Sequence, residues 1–310
     1  MQHPEQKKNT GNQLRLSIIT VNLNNGEGLA KTLTSVADQI NAPPFEHIVI
    51  DGGSTDNSLD VIRTSAGKLA YWESQPDRGI YHAMNKGVAR AGGEYLLFLN
   101  SGDRLAASDV LQQIFTAFPD ADIAYGSIRI VRDGVPDKQV IPPPPGQLSV
   151  SWWIGHTIQH SGTFIRRSLL IATPYDESFR IVADRKFFFE SFLAGCSFAR
   201  LPLCVSLFDM SGISSDPKFA DLKKQEWDRL FTEHMSLPVL NCIRQDRRLE
   251  YQARRQFFSG QQDDVASSEA LWHNLRHWIS LFFLLRRTPL LNRVLALFLQ
   301  LAARREKRKL

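Results

Sequence analysis

Apolar runs of strand length alternate with amphipathic stretches through the first hundred residues. Residues 16–21 (LSIITV), 47–50 (HIVI), 69–72 (LAYW) and 95–99 (YLLFL) read as strands. Their hydrophobicity is continuous rather than alternating, the mark of parallel strands covered on both faces. Helices are predicted over about 28–40, after Ser54 or Thr55 as a cap, and over 79–91. Repeated β-α-β order implies right-handed crossovers and a mostly parallel sheet. Further on, the pattern predicts a helix over about 108–118 and a strand or hairpin over 123–131. Strands at 160–165 and 199–208 flank a helix at 182–194, and 216–260 reads as polar, charged helix. The proline run 141–146 interrupts regular structure and is expected to cross the surface. No internal repeat is evident.

In open α/β sheets, ligands bind just beyond the carboxyl ends of the strands. The run 95–99 ends in Asn100-Ser101-Gly102-Asp103, an abrupt polar and acidic turn. Such a turn suits a divalent cation and, through it, a phosphorylated substrate, yet it has one carboxylate where a secure site has several. Asp103 has a second reading, as the cap of the helix that follows.

Composition and charge narrow the picture. Cys196, Cys204 and Cys242 lack CxxC spacing, which argues against a disulfide framework or zinc knuckle and fits a reducing cytosol. Residues 266–310 hold nine Arg/Lys against two Asp/Glu, a balance of +7, so the +5 of the whole chain leaves −2 for residues 1–265. The basic character belongs to the tail, which disfavours nucleic acid as a partner and directs attention to an anionic membrane surface. The tail's apolar runs, 278–285 and 290–301, fall short of the ~20 residues of a spanning helix and are split by Arg286-Arg287-Thr288-Pro289. Two readings stay open: amphipathic helices lying in a membrane interface, or a helix pair packed on the body or a dimer partner. Residues 1–13 are polar, lack an apolar signal region and read as a disordered arm.

Four segments stand in order: Leu16–Asn22 (LSIITVN), VIDGGSTD ending at Asp56, DRGIYHAMNKG from Asp77 to Gly87, and LNSGD ending at Asp103. Together they resemble family 2 glycosyltransferases of the bacterial exopolysaccharide and lipopolysaccharide type. The resemblance covers about residues 15–212. It implies an inverting enzyme of GT-A fold: an α/β, Rossmann-like, mostly parallel central sheet flanked by helices, here with a C-terminal helical extension. On this reading residues 14–212 form the catalytic domain, with a nucleotide-binding half to 105 and an acceptor half from 106, followed by a helical extension 213–265 and the basic tail.

The resemblance also implies residue roles. Thr20 and Asn22 would frame base and ribose at the end of the first strand, and Asp51 would read the nucleobase. Asp56 reads as a carboxylate in the first turn of the next helix. Arg78 would meet a phosphate with its fork of donors, and Asn85 would line the nucleotide pocket, as would Asn100 and Ser101. The family's Asp-x-Asp turn holds Mg²⁺ or Mn²⁺ against the donor diphosphate. Here Asn100 and Gly102 occupy its two acidic positions, which leaves Asp103 as the metal ligand, aided by His160 of the segment HSGTFIRR. Asp184, in IVADRKFFF, matches the catalytic base, and Phe187, Phe188 and Phe189 read as core. Met210-Ser211-Gly212-Ile213-Ser214 resembles the family's Gly-Ile-Ser loop beside the donor.

The sequence thus predicts a transferase that uses a nucleotide-sugar donor, a lipid-linked saccharide acceptor and a divalent cation, placed at the cytoplasmic face of the cell membrane. Its rivals are a catalytically dead sugar-nucleotide-binding scaffold and a nucleotidyltransferase. The latter is disfavoured because the loop after the first strand (22–28) has no basic residue.

Overall fold

The computed structural model describes residues 14–258 apart from 133, 211 and 213–215. The expectations for the N-terminal arm, for residues 259–310 and for Ser211, Ile213 and Ser214 lie outside the described residues. The chain divides into two compact units, one of residues to Gly146 with Thr157–Leu230, the other of Gln147–His156 with Phe231 onward.

The first unit opens with β1 (Leu16–Asn22), α1 (Gly26–Ala37), β2 (Phe45–Asp51), α2 (Ser58–Ser65), β3 (Tyr71–Ser74), α3 (Ile80–Arg90) and β4 (Tyr95–Phe98). The strands pair in parallel in the order β3-β2-β1-β4, with Leu16 opposite both Phe45 and Tyr95. Every residue of β1 and β4 is buried, as continuous apolar runs require. Leu16, Ile18 and Leu97 join one apolar cluster, whereas Ile19 faces α3. There the helix approaches so closely that any side chain at Gly87 would collide with Ile19.

After β4 come β5 (Arg104–Leu105), α4 (Val110–Thr116), β6 (Ile123–Arg132) and β7 (Val135–Val140). Beyond α5 (Val150–Gly155), which belongs to the second unit, follow β8 (Thr163–Arg166), α6 (Arg167–Ala172), α7 (Ala183–Leu193), β9 (Phe198–Asp209), α8 (Ala220–Thr232) and α9 (Leu237–Phe258). The sheet continues β4-β8-β6-β9-β5 with β7 on β6. Strand β8 is antiparallel to both neighbours and β9 parallel to β6. The parallel order therefore holds for the first half, and the second half is mixed. In the second unit, Arg247 of α9 donates to the Ser151 and Trp152 carbonyls of α5 at 2.7 and 3.2 Å. No helix among the described residues is long and apolar enough to cross a membrane.

Two expected caps fall elsewhere. Ser54 and Thr55 precede α2 by several residues, and Ser54 instead serves the Asp51 carboxylate. Asp56 accepts the Gly26 and Ser58 amides at 2.9 and 3.0 Å, joining the heads of α1 and α2. Asp103 caps nothing either: β5 follows it, and α4 starts only after Asp109.

His47, on β2, is buried in the sheet. The Thr20 hydroxyl donates to the Leu99 carbonyl (2.8 Å), so it accepts the His47 Nε2–H at 2.9 Å. Burial pushes His47 from 6.5 down to about 4. A histidine kept neutral in the fold stabilises fully above its unfolded pKa and loses that contribution as pH falls toward the folded one. Between pH 6.5 and 4 the loss should approach about 3 kcal/mol. Denaturant midpoints measured across that window should fall with pH in the wild type and flatten in His47→Gln; identical slopes would reject the assignment.

Candidate active site

The turn after β4 sits on α1. The Thr32 hydroxyl accepts the Gly102 amide at 3.0 Å and donates to the Asp103 carbonyl at 2.7 Å. Gly102 has φ +104°, the left-handed region, and a Cβ there would stand 3.2 Å from that of Asp209. This backbone turns the Asp103 carboxylate inward, where it is 3% exposed and accepts the Asp209 amide at 2.9 Å. Burial pushes Asp103 up to about 7, aided by the charge of Asp209 and opposed by that of His160.

Asp184 lies in the first turn of α7, 7% exposed. One oxygen accepts His160 Nδ1–H at 3.0 Å. The other accepts the Arg185 amide and faces the Tyr81 hydroxyl, each at 2.9 Å. That hydroxyl is also 2.9 Å from the Ile181 carbonyl, so its single proton serves two acceptors. Burial alone would raise the Asp184 pKa, but the hydrogen bond and charge of His160, then Arg185 and Tyr81, outweigh it and hold the carboxylate low. Burial alone would lower His160; the bond and charge of Asp184, with the charge of Asp103, raise it instead. Each group thus favours the charged form of the other. His160 Nε2 stands 3.1 Å from Asn100 Nδ2, while Asn100 Oδ1 is buried with no partner. A protonated imidazole has N–H at both nitrogens, so turning the Asn100 amide over pairs Nε2–H with the orphaned oxygen.

Asn100, Ser101, Asp103, His160 and Asp184 thus meet in one crevice, whose wall also includes Tyr81, Asp209, Arg180, Arg185 and Lys223. Asn22 and Asp51 lie together at the ends of paired strands, where Asn22 Nδ2 donates to Asp51 at 2.7 Å. The Asp51 carboxylate is wholly buried and takes four further donors: the Gly53 and Ser54 amides and the Ser54 and Ser74 hydroxyls. Burial would raise its pKa, and these bonds bring it below the usual value. With its lone pairs filled it shapes the loop, and the acceptor left over here is Asn22 Oδ1, buried and unpartnered.

Three expected donor-site residues are directed elsewhere. Thr20 lies two residues inside β1, its hydroxyl committed to His47 and Leu99. Asn85 closes its amide on the backbone N–H and C=O of Tyr175, and Arg78 pairs at the surface with Glu177 at 2.7 Å. His160, expected on the metal, reaches a cation only by exchanging its Asn100 contact. Among the described residues no group of three or more His, Cys, Asp or Glu is arranged to hold a metal ion. One buried carboxylate with Asp209 beside it still fits a cation of the Mg²⁺ type, which binds through one or two carboxylates plus substrate phosphates.

Sequence reasoning assigned no role to Tyr81 or Glu226. Tyr81 stands inside a quoted motif, where a phenol on an amphipathic helix reads as core. Glu226 of α8 accepts the consecutive amides of Arg180, Ile181 and Val182 at 2.6, 2.8 and 3.2 Å. No local pattern announces a contact across that separation.

Comparisons with known proteins address the family and the fold. Glycosyl transferase family 2 matches residues 17–172. An uncharacterised glycosyltransferase of Mycobacterium tuberculosis is 34% identical over 219 residues, 67% of this chain and 82% of that one. A PGL/p-HBAD biosynthesis glycosyltransferase of the same organism is 32% identical over 241 residues, 74% of this chain and 86% of its own. Among solved structures, S. aureus TarS 1-349 in complex with UDP has a TM-score of 0.51 at 20% identity, covering 63% of this chain and 60% of that one. A mannosyltransferase of Pyrobaculum calidifontis, in complex with GDP-Man and Mn²⁺, gives 0.51 at 17% identity over 88% and 86%. These two show the fold, GT-A. With the family match over half its length and relatives above 30% identity, the chain belongs to glycosyltransferase family 2 and is a glycosyl-transferring enzyme.

Proposed function

We propose that the enzyme moves one sugar, with inversion, from a nucleotide-sugar donor to a lipid-linked saccharide in bacterial surface glycan synthesis. The observation that supports this reading is the position of Asp184: an ionised, buried carboxylate at the head of α7, in the crevice that begins at the turn after β4. The acceptor hydroxyl gives its proton to Asp184 as its oxygen attacks the anomeric carbon, and the bond to the donor diphosphate breaks on the opposite side. One base and one displacement suffice, so no sugar–enzyme bond forms. His160 and Tyr81 fix the carboxylate's orientation, and His160's positive charge keeps it ionised between turnovers.

On the donor side, Asn22 Oδ1 is the acceptor for a base N–H or ribose hydroxyl, with Asp51 holding the Asn22 amide from behind. Asn100 and Ser101 would border the diphosphate. Asp103 would hold a divalent cation together with diphosphate oxygens and water. When bound, that cation neutralises charge on the departing diphosphate. A relative named as a PGL/p-HBAD biosynthesis glycosyltransferase supports a role in glycoconjugate biosynthesis.

Nucleotide release tests the proposal. UDP-, GDP- and dTDP-sugars are offered with lipid-diphosphate saccharides, with and without EDTA. One donor should give acceptor-dependent release that EDTA lowers by more than about tenfold and Mg²⁺ or Mn²⁺ restores. Release without any acceptor dependence would reject the acceptor class, and indifference to EDTA would remove the cation from Asp103.

A further inference from the structure

A carboxylate offers roughly four acceptor positions, two on each oxygen, and at Asp184 three of them are taken. Oδ1 accepts both the Arg185 amide and the Tyr81 hydroxyl, each at 2.9 Å. Oδ2 accepts His160 Nδ1–H at 3.0 Å, and no other group among the described residues donates to it. The two oxygens are therefore unlike. Oδ1 is saturated, and the open position on this crevice-lining residue belongs to Oδ2.

Tyr81 is held firmly in place for this contact. The residue is buried, and its ring packs on that of Tyr175 with centroids 5.5 Å apart. Asn85 follows one turn later on the same side of α3 and clasps the Tyr175 backbone. Its side-chain oxygen accepts the Tyr175 amide at 3.0 Å, and its Nδ2 donates to the Tyr175 carbonyl at 2.9 Å. One side of α3 thus grips the segment before α7 at both ends, Tyr175 through Asn85 and Ile181 through Tyr81. The phenol stays neutral, because burial and then the charge of Asp184 hold its pKa well above the usual range of tyrosine.

A neutral hydroxyl with two acceptors at 2.9 Å, the Ile181 carbonyl and Asp184 Oδ1, chooses between them by charge. An ionised carboxylate is the stronger acceptor, so the proton points to Oδ1 while Asp184 awaits a substrate. In the transfer step the acceptor's O–H bond breaks and its proton bonds to Oδ2. The electron pair left on the acceptor oxygen forms the bond to the anomeric carbon, and the bond to the diphosphate breaks with its pair leaving on the diphosphate. Oδ1 is then the carbonyl oxygen of a neutral acid and a weaker acceptor. Rotation about the Tyr81 C–O bond returns the hydrogen bond to Ile181. Tyr81 keeps its own proton throughout, and no heavy atom has to move. We infer that Tyr81 is a positioning residue that reserves Asp184 Oδ2 for the acceptor's proton, filling Oδ1 while the base is ionised and releasing it once the base is protonated. This deepens the reading of Asp184 as the base and rests on it.

The test is a double-mutant cycle on the full chain, with Tyr81→Phe and Asp184→Asn made singly and together. Single-turnover transfer is followed with the nucleotide sugar and lipid-diphosphate saccharide that nucleotide release selects. Affinity is measured with UDP and GDP by calorimetry, and rates are read well below the melting temperature. Phenylalanine keeps the ring against Tyr175 and removes only the hydroxyl. Transfer should fall about tenfold, with nucleotide affinity within about twofold and melting within a few degrees of wild type. Removing a donor also makes the carboxylate more basic, so a role confined to tuning charge predicts a rate that is unchanged or higher. Either result overturns the proposal. In the Asp184→Asn background, adding Tyr81→Phe should change the remaining rate by less than about twofold. A further tenfold loss there would show that Tyr81 acts on the fold or the substrate rather than through Asp184, and would equally overturn it. The base is judged separately. Asp184→Asn with wild-type transfer removes Asp184 as the base, whereas a large loss in that variant beside an unaffected Tyr81→Phe removes Tyr81 alone.

Discussion

Asp184→Asn should lower the transfer rate by roughly 10³-fold, about 4 kcal/mol in the barrier, with nucleotide-sugar affinity unchanged. The substitution is close to isosteric, and the site can satisfy an amide. Its oxygen accepts His160 Nδ1–H, and its NH₂ donates to the Tyr81 oxygen, whose proton then belongs wholly to Ile181. Only the Arg185 amide loses a good acceptor. The fold and crevice walls should therefore persist, and what disappears is the group that accepts the hydroxyl proton. Single-turnover transfer measures the first effect and calorimetric titration of the donor the second. A loss under about tenfold would show that Asp184 is not the base. A parallel loss of donor affinity would mean that the carboxylate organises the donor site instead.

The pairing of Asp184 with His160 bears on what the proposed base would do. Held below the usual carboxylate range, it is a weak base toward a free alcohol, yet proton transfer need occur only as the attacking oxygen becomes acidic. Ionisation at all working pH values, and a fixed orientation, matter more here than basicity. The Asn100 amide completes the support on the other side of the imidazole. On the proposed reading, the turn after β4 would support the base through Asn100 and the donor diphosphate through Asp103.

The parallel half of the sheet was legible because β1, β2 and β4 are buried on both faces, which leaves apolar runs that nothing else in the chain imitates. The elements missed are those whose partners supply the pattern. β5 has two residues, and β7 is exposed along nearly its whole length, so neither repeats an apolar period. The expected strand at 160–165 begins as a tight turn at His160–Gly162, and this turn places the imidazole beside Asp184. In the site, motif residues found their neighbours wherever the motif ends a strand or opens a helix, as Asn100, Asp103 and Asp184 do. Thr20, Arg78 and Asn85 have the right chemistry in the right segments, but their orientation depends on contacts with His47, Tyr175 and Glu177 that spacing does not encode. Arg185 shows the converse: its place next to Asp184 is visible in the sequence, yet its guanidinium lies over the ring of Trp227, far along the chain, Cζ 4.2 Å from the centroid.

Glu226→Ala should cost about 3 kcal/mol or more of stability, lower the melting temperature by about 10 °C, and reduce turnover roughly 10²-fold at temperatures well below melting. The carboxylate is 6% exposed and accepts three consecutive amides, those of Arg180, Ile181 and Val182. Val182 is the N-cap of α7 and has no side-chain cap bond, so Glu226 satisfies from another helix the donors that a local cap would otherwise take. Its negative charge also lies at the positive end of the α7 dipole. Alanine leaves these donors unmet and frees the segment that sets the first turn of α7, hence the placement of Asp184 and Arg185. Glu226→Gln keeps one acceptor oxygen but turns its NH₂ against at least one amide, and should fall between alanine and wild type in both readouts. The pair of measurements separates this residue from Asp184, whose substitution removes rate with little change in melting. Full activity in Glu226→Ala with a lowered melting temperature would confine Glu226 to stability and show that α7 holds its first turn unaided.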